Sequence, residues 1–349
     1  MAALGLLAAC ENRDKQEDSP PTVSPNAKYE ALLFTDAAMQ NAAGVILPEN
    51  LAIEVALDRL GFSSGVIDGK ATRFDELALR GFQEANGLPP TGRLDPPTEA
   101  ALSRALTDPL RTVRIPRGFA AGPFVPDLPN EAGKQAQYEH LSYRDIREAL
   151  AERFHTTPEL LAAINPPGTM LGAGAAIRVP NIPDVEIAAL DDQDARGWNR
   201  TLVTLGVSPD QPRATRVVVD KSEGALRAYG ADGELLAQFP ATMGSEHDPL
   251  PIGEWRIVGV GKNPDFHYNP ELFWDVSDAE PSQILQPGPN NPVGVVWIDL
   301  SKEHYGIHGT PEPASIGHSE SHGCVRLTNW DAARLAQMVG PETPAIFQE

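Results

Sequence analysis

Between Asn50 and Leu106 the apolar residues recur at helical spacing. Phe74, Leu77, Ala78, Phe82 and Ala85 advance in three- and four-residue steps and fall on one face. Thr72 and Asp75 have the spacing of a capping box at the start of that helix, and Asn86-Gly87 before Pro89-Pro90 stops it. A second helical stretch carries Ile146, Ala149, Leu150 and Phe154 on one face. A third opens at Thr157 with Pro158 in the first helical position, buries Leu160, Leu161 and Ile164, and ends at Asn165-Pro166. The run from Leu171 to Asn181 reads as a turn and a strand. Beyond Arg213 the texture turns to short β runs. Arg216–Asp220 and Ala225–Tyr229 flank Glu223-Gly224 as a hairpin, followed by runs at Leu235–Phe239, Trp255–Val260, Val293–Leu300 and Ala345–Phe347. One helix is expected over Trp330–Val339, entered through Thr328 and Asn329 with Asp331 in its first turn.

The pattern predicts a multidomain α and β chain, and its 349 residues suit two or three domains. Proline, 33 residues, is about twice its usual 5% and collects in connecting stretches. Two such stretches are expected: a tether over 11–48 and a link over 108–130. The segment from Asp184 to Arg213 has no clear assignment. With 28 basic against 48 acidic residues the net charge is −20, which repels phosphate backbones and argues against a nucleic-acid partner. No apolar run reaches the roughly 18 residues of a spanning helix. Only two cysteines occur, Cys10 and Cys324.

Three stretches carry resemblances. Residues 1–10 end in Leu7-Ala8-Ala9-Cys10 and resemble the remnant of a bacterial lipoprotein signal, which implies a periplasmic protein held at a membrane through lipid on Cys10. Residues 49–106, with Gly65-Val-Ile-Asp-Gly69, Phe82-Gln83, Asn86-Gly87-Leu88, Thr91-Gly92, Leu94-Asp95 and Thr98, resemble a small helical peptidoglycan-binding module. Residues 137–183, two helices and a strand ending in Val179-Pro180-Asn181, resemble an α+β LysM module, which implies binding to glycan strands.

The chemistry gathers between His308 and Arg326. An imidazole near a thiol can take its proton and steady the resulting charge, and both His308 and His322 are candidates for Cys324. Gly306, Gly309 and Gly323 permit tight turns that leave backbone amides near the sulfur, as an oxyanion requires. The segment Ile307-His308-Gly309-Thr310 followed by Ser321-His322-Gly323-Cys324-Val325-Arg326 resembles the motif of YkuD-type L,D-transpeptidases. The surrounding Val219-Asp220, Met243-Gly244, Pro251-Ile-Gly253 and Gly288-Pro-Asn-Asn-Pro-Val-Gly294 extend that resemblance over 214–349 as a β-rich domain.

The resemblance implies that Cys324 is the nucleophile and His308 its base, with the Gly309 carbonyl orienting the ring. It gives the amides of Gly323 and Cys324 the oxyanion, has His322 shape the turn, and lets Arg326 meet a substrate carboxylate with Ser321 beside it. The implied reaction takes a peptidoglycan tetrapeptide stem through a thioacyl-enzyme, releases D-alanine and forms 3→3 cross-links, with no metal or organic cofactor. Water as acceptor would make a carboxypeptidase, and a protein lysine would attach or detach a wall protein. Two readings from other classes stand behind it. One is a wall-binding scaffold without activity. The other is a zinc hydrolase built on His304/His308 or His318/His322 with Cys324, although four residues along a strand span about 13 Å.

Overall fold

The computed structural model of the protein describes residues 25–38, 47–272, 281–319, 321 and 323–349; Cys10 and His322 lie outside them. The chain begins with a 3₁₀ segment, Pro25–Leu32, and a short strand β1 (Thr35–Asp36). Helices α1 (Leu51–Arg59), α2 (Arg73–Ala85) and α3 (Pro96–Leu102) follow. Thr72 and Asp75 close the expected capping box on α2, and Gly87 takes the left-handed conformation past its end. Strand β2 (Leu110–Arg114), two single-turn helices α4 (Arg117–Ala120) and α5 (Ala132–Gln135), then α6 (Ile146–Arg153), α7 (Pro158–Ile164) and β3 (Ala176–Pro180) come next. Thr157 caps α7 and Pro158 sits in its first turn, as the sequence predicts.

Two stretches expected to be connectors are built into the fold. Tyr29, Leu32 and Phe34, inside the expected tether, are buried, and Phe34 packs edge-on against both Phe119 and Phe154. Burying one such side chain is worth roughly 1.5–3 kcal/mol, so the three together offset part of the roughly 1–2 kcal/mol per residue that ordering the segment costs. Strand β2 lies in the expected proline-rich link. It pairs antiparallel with β3 from Leu110↔Pro180 to Arg114↔Ala176, while β1 adds to its other edge. The partner strand for β3 therefore stands about 30 residues before α6, outside the expected 137–183 boundary. The unassigned 184–213 segment contains α8 (Trp198–Leu205), whose Trp198, Leu202, Val203 and Leu205 are buried.

The β-rich part comprises β4 (Arg216–Asp220), β5 (Ala225–Tyr229), β6 (Leu235–Pro240), β7 (Thr242–Met243) and β8 (Gly253–Lys262). A side pair, β9 (Phe266–Tyr268) and β10 (Gln283–Leu285), follows. Then come β11 (Val296–Leu300), β12 (Gly306–His308), β13 (Val325–Arg326), α9 (Asn329–Met338) and β14 (Pro344–Gln348). The nine-stranded sheet runs β6-β5-β4-β14-β8-β11-β12-β13-β7. Strands β6 and β7 stand at opposite ends of that order yet are joined by Ala241 alone, so the sheet must curl until it nearly closes. The long strand β8 makes this possible: Gly253–Arg256 pair with β14, and Ile257–Lys262 with β11. Gln238 on edge strand β6 exchanges backbone hydrogen bonds with Gly61 and Ser63, so the helical module shields that edge.

Helix α9 starts as expected, with Thr328 capping Asp331, and is buried on nearly every side. Asn329, Asp331 and Arg334 on it bond to the modules upstream. Arg334 makes a two-pronged ion pair with Asp58 on α1 (3.0 and 2.8 Å) and also reaches Asp331 at 3.2 Å. His155, just past α6, stacks on Trp330 and sets its ring nitrogens at 2.9 Å from the Asp58 carboxylate and 2.8 Å from the Leu205 carbonyl. Ser63 donates to Asp331 at 2.8 Å. Burial alone would raise the Asp58 pKa, but Arg334 and His155 hold it well below the ordinary carboxylate range. One buried charge cluster thus ties both upstream modules to α9. Removing one member strands the others without water, which costs about 3–5 kcal/mol. Arg334→Leu is expected to lower unfolding stability by about that amount in urea titrations and to open the junctions between modules to limited proteolysis. A loss below about 1 kcal/mol, the scale of an exposed pair, with unchanged proteolysis would contradict the role given to the cluster.

Candidate active site

The site is set by strand register. Strand β12 pairs in parallel with β13, placing Ile307 beside Val325 and His308 beside Arg326. Paired residues in a parallel ladder share a face, and side chains alternate along each strand. His308 and Arg326 therefore look the same way, and Cys324 stands two residues before Arg326, in the bend that leads into β13. The charge of Arg326 acts on both His308 and Cys324. On the far side, β11 sets Trp297 opposite His308, and the two rings stack at 5.5 Å with an 18° tilt.

His308 is buried, and its Nδ1 stands 2.7 Å from the Gly309 carbonyl. A carbonyl only accepts, so Nδ1 carries the proton and Nε2 is left as the basic nitrogen. Burial, reinforced by the positive charge of Arg326, pushes the His308 pKa down to about 3. Half-buried Cys324 has its sulfur 3.9 Å from the His304 carbonyl and accepts a hydrogen bond from the Gly306 amide. Burial pushes the thiol pKa up, and that amide and Arg326 offset it only in part. At rest the two groups are accordingly a neutral thiol and a neutral imidazole.

Two glycines here are steric requirements. Gly323 has φ +91°, and a Cβ on it would run into the Tyr305 ring. A Cβ on Gly309 would collide with Oδ1 of Asn329. Ser321, expected beside the substrate, is instead consumed by the backbone. Its buried hydroxyl donates to the Cys324 carbonyl at 2.6 Å and accepts from the Gly244 amide at 2.7 Å, so it staples the turn ahead of the cysteine. His304 is exposed beside Glu303 while His308 is buried, and no group of three metal-binding side chains gathers among the described residues. His318 is exposed against Phe74 of α2. The sequence reading missed Trp297. Its alternation with buried Val296 and Ile298 placed it on the opposite face from the core, a signal available in principle.

Comparison with known proteins agrees with this arrangement. Residues 214–346 match the L,D-transpeptidase catalytic domain family YkuD, and residues 49–102 match the peptidoglycan-binding domain family. The YkuD protein of Bacillus licheniformis is 29% identical over 194 residues, 55% of this chain and 87% of its own length. The YkuD protein of Bacillus subtilis is 54% identical over 108 residues, 31% of this chain and 51% of its own. Among solved structures, an L,D-transpeptidase from Mycobacterium smegmatis is 25% identical with a TM-score of 0.31, covering 38% of this chain and 58% of that one. The chain thus carries a peptidoglycan-binding domain over 49–102 ahead of a YkuD-family L,D-transpeptidase catalytic domain over 214–346.

Proposed function

We propose that Cys324 attacks the carbonyl carbon of a diaminopimelyl–D-alanine bond in a peptidoglycan tetrapeptide stem, with His308 as its general base. The observation that carries this reading is the β12–β13 register, which sets Arg326 beside His308 with Cys324 two residues ahead of it, the Arg326 charge acting on both groups. As the S–C bond forms, the thiol proton passes to Nε2 of His308. The tetrahedral oxyanion is stabilised by the amides of Gly323 and Cys324. Collapse breaks the C–N bond, the imidazolium returns its proton to the departing D-alanine amine, and a thioester remains. An amine from a neighbouring stem then attacks the thioester, His308 takes its proton, and the thiol is regenerated with a 3→3 cross-link formed. Arg326 draws the substrate carboxylate while its charge stabilises the developing thiolate.

The upstream modules fit a wall-bound enzyme. Strand β3 follows α6 and α7 and pairs with β2, which lies upstream of them beyond the single-turn α4 and α5, and this pairing supports a LysM-like glycan-binding unit. A peptidoglycan substrate places the protein outside the cytoplasm, and the Leu7-Ala8-Ala9-Cys10 motif supports anchorage in a membrane by lipid on Cys10.

Incubation with purified disaccharide-tetrapeptide should release D-alanine and yield cross-linked dimers by mass spectrometry. Cys324→Ala is expected to lower kcat by roughly a thousandfold or more. D-alanine release without dimers would assign water as acceptor; appearance on a protein lysine would make it an attachment enzyme; no release would refute the reading.

The neutral resting pair sets the pH response. A pre-formed thiolate–imidazolium pair gives a reactive plateau over roughly pH 4–8. Here the raised thiol and depressed imidazole pKa values put no such ion pair in that window. Iodoacetamide alkylation of Cys324 should therefore be slow at neutral pH and climb continuously past pH about 8.5, the ordinary thiol value. A plateau on the acid side would overturn the neutral-pair assignment.

A further inference from the structure

Asn329, the first residue of α9, accounts for every polar atom of its amide in a crowded buried space. Its Oδ1 accepts from the Val295 amide at 3.2 Å, where β11 begins, and occupies the space that side chains at Gly309 or Gly294 would need. Its Nδ2 donates to both oxygens of Glu152 (3.0 and 3.3 Å) and to the Pro289 carbonyl at 3.1 Å. Glu152 lies on α6, outside the 214–346 catalytic domain, and is only 4% exposed. Tyr143 donates its hydroxyl to the same carboxyl at 2.9 Å. Burial pushes the Glu152 pKa up to about 8, and the hydrogen bonds from Tyr143 and Asn329 oppose that rise.

The same upstream segment also grips the loop leading into β11. The Leu141 amide donates to the Pro287 carbonyl at 3.0 Å, the Asn290 amide donates to the Leu141 carbonyl at 2.9 Å, and Asn290 Nδ2 donates to the Ser142 carbonyl at 2.9 Å. Asn329 is therefore clamped between this loop, Glu152 and the backbone of Gly309, whose carbonyl holds Nδ1 of His308. If the amide swings away, the Gly309 peptide can rotate, and with it the acceptor that selects the imidazole tautomer.

We propose that Glu152, supplied by the module upstream of the catalytic domain, is a positioning residue for the reaction, acting through Asn329 and the Gly309 carbonyl to keep Nε2 of His308 basic. The inference rests on His308 being the base, and it makes the upstream module part of the active site rather than a wall tether alone.

The test reads the tautomer directly. Full-length protein labelled with ¹⁵N-histidine, with the His308 signals assigned by comparison with His308→Gln, should show a single Nδ1-protonated imidazole. Glu152→Ala should give mixed tautomers and a 10- to 100-fold lower kcat with little change in KM, the scale of a misaligned catalytic group. Glu152→Gln keeps an acceptor oxygen for Asn329 and should recover most of the tautomer signal and of kcat. Should Glu152→Ala fail to fold, Asn329→Asp provides the second route: it keeps the size, removes both N–H donors and should give the same mixed tautomers. A folded Glu152→Ala or Asn329→Asp protein whose His308 keeps the wild-type tautomer overturns the proposal even if activity falls. Full activity in His308→Gln would instead overturn the base assignment beneath it.

Discussion

A strand shows only every second side chain to a given face, and this constraint organises the active site. Parallel pairing of β12 with β13 fixes His308 beside Arg326, and the bend at Gly323–Cys324 leads directly into that pairing. Neither strand is long enough to enforce that register alone. It holds because β12 is paired on its other edge to β11 and β13 to β7, and because α9 buries Leu335, Ala332 and Trp330 directly behind the motif. Ser321 adds a lock, its hydroxyl donating to the Cys324 carbonyl and accepting from the Gly244 amide just past β7.

Electrostatics follow from how deep that face lies. Burial disfavours both charged forms, so the thiol pKa rises and the imidazole pKa falls. A neutral pair is chemically useful if the proton moves as the S–C bond forms, since charge then develops only where the substrate and the backbone amides can meet it. Arg326 acts on both groups in the same sense, favouring thiolate and disfavouring imidazolium. The tautomer matters more than the charge in this scheme, which is why the carbonyl of Gly309 and the packing around Asn329 carry so much of the mechanism.

Features decided by a few adjacent residues were readable from the sequence. The capping box at Thr72 and Asp75, the proline-led start of α7, the hairpin around Glu223-Gly224 and the Thr328 cap of α9 all occur where local chemistry puts them. The cysteine–histidine motif was legible for the same reason. Features decided by partners far along the chain were not. Tyr29, Leu32 and Phe34 sit among prolines and polar residues and look like a tether until the surface carrying Phe119 and Phe154 exists. Strand β2 has a partner 66 residues onward, so no local pattern announces their pairing. Glu152 reads as an ordinary helix-surface carboxylate, and only the approach of α9, 177 residues later, makes it buried.

The account stands or falls on a covalent bond to one atom. Rapid mixing with a stem tetrapeptide, acid quenching and peptide mapping by mass spectrometry should find the stem, minus D-alanine, as a thioester on Cys324, with one D-alanine released for each adduct. Turnover with no acyl group on Cys324, or with the acyl group on any other residue, would contradict it.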